Sequence, residues 1–153
     1  MKPINILVPV DDSTPARNAA KYAGSLATQH NAKVILLHVY DAISQLISGD
    51  GLKQVRQKLE DDSETLLNEF QKNLAECDVK AEKIIRSGDV AKEILLVAKE
   101  KDCDLIVMGS RGRNALQGAF LGSAVTKVLQ HSECPVLVTR NLRKLYPGQA
   151  CFK

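Results

Sequence analysis

Glycines and a serine with a spacing suited to anion binding lie between residues 109 and 123. Gly109-Ser110-Arg111-Gly112 directly follows an apolar run, and Gly122-Ser123 precedes a helical pattern after an interval of nine residues. Glycine admits positive φ and lets a ligand approach the backbone without a Cβ in the way. Successive backbone amides, together with those at a helix start, form an anion-binding concavity. The pattern predicts a phosphate-binding loop, with the Ser123 hydroxyl as a further donor.

The same spacing also has a purely structural interpretation, in which Gly109 and Gly112 make a turn and Gly122-Ser123 caps a helix. The loop is not of the Walker type, because no Gly-Lys-Ser/Thr is present, and a Gly-x-Gly-x-x-Gly fingerprint is also missing. The position between a strand and a helix favours the phosphate interpretation, because ligands of open α/β sheets bind beyond the carboxyl ends of the strands.

Five apolar runs that alternate with helical patterns must position this loop. They predict strands over residues 4–10, 33–40, 79–86, 105–108 and 136–139. Residues 41–51 are expected to be irregular, and Ser13 with Pro15 is a helix-start signal. The first helix is predicted from Ala16, Ala19, Ala20, Ala23, Leu26 and Ala27. The second helix is predicted from Leu52, Val55, Leu59, Leu66, Phe70 and Leu74. The last two helices are predicted from Val90, Ile94, Val97 and Ala98, and from residues 123–130.

Strand and helix alternating in this way imply right-handed crossovers, and therefore one open, parallel, Rossmann-like α/β sheet with helices on both faces. Charges in the third strand suit an edge position. The domain is expected to span residues 1–141, with residues 142–153 as a C-terminal tail. Scarce aromatics, at 4%, and the absence of Trp leave a core of Val, Ile, Leu and Ala, which favours this fold class.

Composition excludes several classes of protein. The net charge of +3 comes from interspersed Lys, Arg, Asp and Glu without a basic stripe, so nucleic acid is not an expected partner. No apolar stretch approaches the roughly 20 residues needed to cross a bilayer, and the N-terminus lacks a secretory signal. The four cysteines have no paired short spacing, so they predict buried apolar residues in a reducing compartment rather than a zinc or dithiol site. We therefore expect a cytoplasmic location.

The chain resembles the universal stress protein family from Ile4 to Arg140. The resemblance is carried by residues 6–13 (ILVPVDDS), 36–40 (LLHVY), 88–89 (GD) with 93–95 (EIL), 104–112 (DLIVMGSRG), 121–123 (LGS) and 134–138 (CPVLV). In that family the spacing Gly-x2-Gly-x9-Gly-Ser/Thr marks an ATP-binding branch. Gly109, Gly112, Gly122 and Ser123 match that spacing without a gap.

The resemblance implies a strand order of 3-2-1-4-5, with ATP (or ADP or AMP) across the ends of the first and fourth strands and Mg²⁺ or Mn²⁺ as an accompanying ion. The contact residues that it implies are Pro9, Val10, Asp11, Val39, Met108, Gly109, Gly112, Gly122, Ser123 and Ala124. Asp11 would hold the ribose or a phosphate edge, Val39 would pack on adenine with Pro9 and Val10 shaping its pocket, and the glycine loop would hold the phosphates. A homodimer is also implied.

The last strand gives an independent reason for dimerisation, since Val136, Leu137 and Val138 form an apolar edge that invites pairing. The alternative is that the C-terminal tail covers this edge.

Two other functions compete with nucleotide binding alone. Asp11 and Asp12 resemble the start of a phospho-accepting receiver domain, but Gly109 stands where the acceptor carboxylate is needed and Arg140 where the lysine is. A slow ATPase or nucleotide-processing enzyme needs a positioned base. The histidines favour other roles, since His38 fits a satisfied core residue, whereas His30 and His131 fit helix ends.

We therefore expect a nucleotide-binding stress-response protein that acts by ATP-dependent conformation or association, with slow hydrolysis as the alternative and loss of nucleotide binding as a third possibility. Phosphate contacts would order residues 113–121 and change a surface that partners read.

Overall fold

A computed structural model describes residues 4–43, 49–112 and 121–140 of the chain. Nine elements alternate along these residues. The strands are β1 (Asn5–Pro9), β2 (Lys33–Tyr40), β3 (Ala81–Ser87), β4 (Leu105–Gly109) and β5 (Val136–Thr139). The helices are α1 (Thr14–His30), α2 (Asp50–Ala75), α3 (Val90–Glu100) and α4 (Ser123–His131).

The strands form one parallel sheet in the order β3-β2-β1-β4-β5, as expected. Within the ladders, Leu7 lies opposite Ile35 on one side and Ile106 on the other. The prediction of a five-stranded open α/β sheet is therefore confirmed. The predicted irregular segment is too long at its end, because α2 already begins at Asp50.

α1 shows how local sequence signals become structure. The Ser13 hydroxyl caps the helix by accepting the Ala16 N–H, and Pro15 lies in the first turn, where no intrahelical donor is needed. The helix ends at Asn31, whose φ of 50° lies in the left-handed region. The buried positions are all small, which allows the helix to approach the sheet closely: Ala16, Ala19, Ala20, Ala23, Gly24 and Ala27.

Two apolar layers cover the two faces of the sheet. One layer joins α1 and α2 to the side chains of Val8, Leu36 and Val107. The other joins α3 and α4 to Leu37 and Met108. Consecutive strand residues alternate between the layers, so each central strand is buried on both faces.

The predicted apolar stripe of α2 needs correction. Leu67 is fully buried, whereas Leu66 only packs at the margin of the core, and Val55 is 38% exposed. The buried residues of α2 begin at Ser63 and continue through Phe70 and Leu74. The reason is positional, because only the second half of this helix covers the sheet, so apolar spacing in its first half does not report on burial.

The strand order confirms the edge position that the charges of β3 predicted. Lys83 pairs with Glu64 of α2, Arg86 pairs with Glu100 of α3, and every residue of this strand keeps some exposure. The proposed boundary at residue 141, the tail and residues 113–120 lie outside the described residues. Among the helices of the described part of the chain, none is long and apolar enough to cross a membrane.

Candidate functional site

The candidate site lies where β1 and β4 end side by side. From Pro9 the chain passes to α1 on one face of the sheet, whereas from Gly109 it passes to α4 on the opposite face. Crossovers that leave in opposite directions open a crevice beyond the carboxyl ends of the two strands, the usual ligand position in open α/β sheets.

Asp11 lies in this crevice and is held by its own chain. One carboxylate oxygen, Oδ1, accepts the backbone N–H of Ser13 at 3.0 Å and also the Ser13 hydroxyl. The other oxygen, Oδ2, is 3.0 Å from the point where a Cβ would stand on Gly112. Gly112 thus leaves room for the Asp11 carboxylate, and the structure brings together two residues that the sequence predicted separately.

The two ends of the glycine segment are joined by a backbone hydrogen bond. The N–H of Gly122 donates to the carbonyl of Ser110 at 2.8 Å, and the N–H of Ser110 donates to Thr139 of β5 at 2.9 Å. Ser110 itself is buried, at 4% exposure. The start of α4 is therefore anchored to the end of β4, with Gly112 between them in the chain.

The first turn of α4 has unused donors. Gly122 is its N-cap, and within the described residues no side chain caps the helix. The first intrahelical acceptor is the Gly122 carbonyl, which receives the Thr126 N–H at 3.0 Å. By helix geometry, the amides of Ser123, Ala124 and Val125 have no acceptor in α4 itself. A Cβ on Gly122 would stand 3.7 Å from the Gly112 nitrogen, so this turn lies next to the Gly112 amide.

Gly109 has a different role. A Cβ there would be 2.6 Å from the carbonyl carbon of Pro15 and 2.7 Å from its Cβ and carbonyl oxygen, so the glycine lets the first turn of α1 pack directly on β4. Positive φ is not the reason for the motif, because neither Gly109 nor Gly112 nor Gly122 has it; among described glycines it occurs at Gly49 and Gly88. These glycines provide space, not unusual backbone angles.

The apolar residues of the predicted site do not all share one face. Val39, Met108 and Ala124 pack in the layer of α3 and α4. Val10 is 5% exposed and packs in the opposite layer, with α1 and α2. Its backbone is nonetheless held at the crevice, because its N–H donates to Leu37 and its carbonyl accepts from His38 Nδ1 at 2.8 Å.

The hydrogen bond to Val10 determines which ring nitrogen of His38 carries the hydrogen. A carbonyl oxygen only accepts hydrogen bonds, so Nδ1 of His38 must carry the hydrogen. The partly buried ring therefore has a structural partner, as the core interpretation predicted.

An ion pair joins α3 and α4. Asp89, the N-cap of α3, accepts the Lys92 N–H at 3.0 Å and pairs with Lys127 of α4 at 3.1 Å. The Lys92 hydrogen bond, followed by that from Lys127, lowers the pKa of Asp89 below its ordinary value. The ionised form of Asp89 is therefore favoured, and its partly exposed ion pair links the start of α3 to α4.

The sequence reasoning missed two supporting roles. Ser13 was predicted as a helix cap, but it also holds the Asp11 carboxylate, and Ser110 anchors α4 through its carbonyl. The first role had a readable signal, because an Asp that precedes Ser by two residues is typical of a turn in which the carboxylate accepts the later N–H. No local signal marks the second, since it depends on a hydrogen bond from Gly122, twelve residues further along the chain.

The fold is that of a Rossmann-like α/β protein, with a glycine-rich segment beside the crevice at the switch point of its sheet. Residues 4–140 match the Universal stress protein family. The chain belongs to this family.

Individual relatives agree in sequence and fold. Universal stress protein YxiE of Bacillus subtilis is 36% identical over 144 residues, covering 88% of this chain and 97% of the relative. The structure of MJ0577, a universal stress protein of Methanocaldococcus jannaschii, superposes with a TM-score of 0.83 at 30% identity, covering 94% of this chain and all of the other. A universal stress protein crystallised in complex with cAMP superposes with a TM-score of 0.69 at 26% identity, covering 89% and 96%.

Proposed function

We propose that this protein binds an adenine nucleotide, ATP or its products ADP and AMP, in the crevice between β1 and β4. The observation that carries the proposal is the first turn of α4. Its amides lack a side-chain cap among the described residues and lie beside the Gly112 amide. Several N–H groups and the positive end of a helix dipole at one point suit a phosphate chain.

The other residues of the crevice suit the nucleoside. Asp11 offers a carboxylate oxygen beside Gly112, and a carboxylate is a strong acceptor for a ribose hydroxyl. Val39 is partly exposed near the end of β2 and offers an apolar surface for the adenine ring. Pro9 ends the neighbouring strand, and Met108 is buried in the same layer as Val39. Val10 contributes through its backbone position.

A divalent cation fits this site as a companion of the phosphates. Magnesium is usually bound by one or two carboxylates together with phosphate oxygens. No group of three or more His, Cys, Asp or Glu in the described residues forms a cation site by itself, so a cation at this site would depend on the phosphate oxygens. We therefore expect Mg²⁺ or Mn²⁺ to enter with the nucleotide.

A family relative supports the chemical class of the ligand. The universal stress protein in complex with cAMP, at 26% identity, holds an adenine nucleotide on a matching fold. Adenine, ribose and phosphate are common to cAMP, AMP and ATP, so that relative is consistent with an adenine-nucleotide site here. The glycine spacing of this chain is the one that the sequence resemblance associates with ATP, so ATP is the proposed ligand.

Calorimetry on nucleotide-stripped protein tests the proposal. ATP with Mg²⁺ should bind saturably, and Gly122→Val should abolish binding while circular dichroism shows a retained fold. A Cβ at residue 122 has only ordinary contacts, of 3.5 Å or more, but the branched methyl groups of Val would fill the space over the α4 amides. Absence of saturable heat with ATP, ADP and AMP would overturn the proposal.

A carboxylate pair provides a matched control. Asp11→Ala should weaken binding more than Asp12→Ala, because Asp12 is exposed whereas Asp11 lies against Gly112. Equal losses in the two variants would contradict the place given to the ribose.

The proposed biological role is regulatory, in keeping with nucleotide binding by a universal stress protein. We propose a stress-response regulator whose conformation or association changes with nucleotide. Hydrogen exchange at Gly112 and at Ser123 to Val125 should slow when ATP is bound, and unchanged exchange there would contradict the switch. Single-turnover measurements of ATP loss separate this role from that of a slow ATPase.

A homodimer and a cytoplasmic location complete the proposal. β5 is an edge of the described sheet, and Val136, Leu137 and Val138 are partly exposed there. An apolar edge strand with an open ladder is suited to pairing with a second copy. The alternative partner for this edge, the C-terminal tail, lies outside the described residues.

A further inference from the structure

Two cysteines that are far apart in sequence precede neighbouring strands at the edge of the sheet opposite the nucleotide crevice. Cys103 precedes β4 and Cys134 precedes β5, and these strands are parallel neighbours. Both side chains pack in the layer of α3 and α4, and both line one cavity of about 660 Å³ between these helices. Neither residue is fully buried.

The two cysteines flank the amino ends of neighbouring strands. Ile106 lies opposite Val136, and its N–H donates to the Pro135 carbonyl at 3.0 Å. Cys134 is next to Pro135 in the chain, and Cys103 precedes Ile106 by three residues. Both cysteines lie outside the regular strands, and both side chains turn to the same layer of the core. Linkage requires the two Cα atoms to come within about 7 Å, which the mapping experiment below tests directly.

Local hydrogen bonds hold both cysteines in place. The Cys134 N–H donates to the Ser132 hydroxyl at 3.3 Å, which itself donates to the Cys134 carbonyl at 2.7 Å, and Sγ lies 3.6 Å from the same hydroxyl. The Cys103 N–H donates to the Ala98 carbonyl of α3 at 2.9 Å. Each thiol thus sits on a fixed backbone beside an accessible cavity.

We propose that Cys103 and Cys134 are a peroxide-sensitive thiol pair. One thiolate attacks a peroxide oxygen and the O–O bond breaks. That cysteine becomes a sulfenic acid, and the departing hydroxide is protonated and released as water. The second thiol then attacks this sulfur, the S–OH bond breaks, and a second water is released as the disulfide forms. In sum, two thiols lose two hydrogens and hydrogen peroxide is reduced to two waters. A thiol reductant cleaves the disulfide and restores both thiols.

Cys77 provides a natural contrast. It is 9% exposed, packs in the opposite layer, and directs Sγ toward the Asn73 carbonyl at the end of α2. It does not line the cavity that holds the pair. Peroxide should therefore modify Cys103 and Cys134 in preference to Cys77.

Peptide mapping of the full chain tests this inference. Trypsin separates all four cysteines, in fragments 73–80, 102–111, 128–140 and 145–153. After hydrogen peroxide and blocking of remaining thiols, fragments 102–111 and 128–140 should appear as one linked species, lighter than their sum by two hydrogens. Dithiothreitol should restore the separate fragments.

Variants decide between this pair and other cysteines. Cys103→Ser and Cys134→Ser should each abolish the linked species, and dimedone should then trap a sulfenic acid on the cysteine that remains. Cys77→Ser and Cys151→Ser should leave the linkage unchanged. Linkage through Cys77 or Cys151, or oxidation of Cys103 and Cys134 without any linkage, would overturn the proposal. The test is independent of whether nucleotide binds.

Discussion

At the scale of single residues, the three glycines of one motif have three different structural roles. Gly109 lets Pro15 touch β4, Gly112 leaves room for the Asp11 carboxylate, and Gly122 starts α4 without covering its amides. Only the last two affect the space available to a ligand. The motif therefore combines a packing requirement with a binding requirement, and substitutions at its positions should separate them.

Gly109→Ala should destabilise the fold. A Cβ 2.6 Å from the Pro15 carbonyl carbon forces backbone to move, and the neighbour is not a flexible side-chain end. Overpacking of this kind costs about 1–3 kcal/mol of the free energy of unfolding. Urea denaturation measures the loss. Gly122→Ala is the control, since its Cβ has contacts of 3.5 Å or longer; equal losses in both variants would refute the packing role of Gly109.

At the scale of elements, charge pairs tie the edge strand to its neighbours. Glu82 of β3 receives hydrogen bonds from Lys33, at the start of β2, and from Lys101, just after α3, the latter at 2.6 Å. The side chain of Glu82 is 28% exposed, so these pairs are only partly screened by water. The Glu82 carboxylate thus links β3 to the start of β2 and to the end of α3.

The stability provided by Glu82 should depend on pH. The hydrogen bond from Lys101, followed by that from Lys33, lowers the pKa of Glu82 below its ordinary value of 4.5. The folded state therefore favours the ionised form, so its contribution is present above pH 4.5 and is lost as the pH falls through the lowered pKa. Glu82→Gln should cost about 1 kcal/mol at neutral pH.

Urea denaturation across the acid range checks this expectation. The difference between wild type and Glu82→Gln should shrink toward acid pH. Glu76→Gln, at an exposed position after α2, is the matched control and should change little at any pH. A Glu82→Gln difference that stays constant down to acid pH would contradict the linkage.

The edge of β5 allows the dimer proposal to be tested at one backbone position. The carbonyls of Pro135 and Thr139 accept bonds from β4, so with strand alternation the N–H and C=O groups of Val138 point away from β4. Val138→Pro removes an outward donor and should give a monomer in size-exclusion chromatography with light scattering. Val138→Ala keeps the donor and should remain dimeric. A dimer that persists in Val138→Pro would exclude pairing through this edge.

At the scale of the whole molecule, nucleotide binding and folding should be coupled. The crevice combines residues from the ends of β1 and β4 and the start of α4, and these exist as a site only in the folded chain. A ligand that binds only the folded state stabilises it, by about 2.7 kcal/mol at a concentration of 100 Kd.

ATP with Mg²⁺ should therefore raise the melting temperature of the wild-type protein in a concentration-dependent way. Gly122→Val should melt at a temperature independent of ATP. A wild-type melting temperature that does not respond to any adenine nucleotide would contradict the proposed site at this scale, independently of calorimetric heats.

Much of the architecture was readable from residue periodicity. Apolar runs indicated all five strands, small residues marked the buried face of α1, and Ser13 with Pro15 marked its start. The spacing of Gly109, Gly112 and Gly122 predicts a phosphate loop, and this stays a prediction. These features are local, because a strand, a cap or a tight turn depends mainly on residues close to it in the chain.

Tertiary structure decided which of these residues meet. Periodicity did not show that Gly112 would border Asp11, that Gly109 would receive Pro15, or that Val10 would pack away from Met108. Periodicity also did not show that Cys103 and Cys134 would line one cavity. Such contacts depend on strand order and on the face that each crossover takes, and local spacing carries neither, since both emerge only when distant segments pack together.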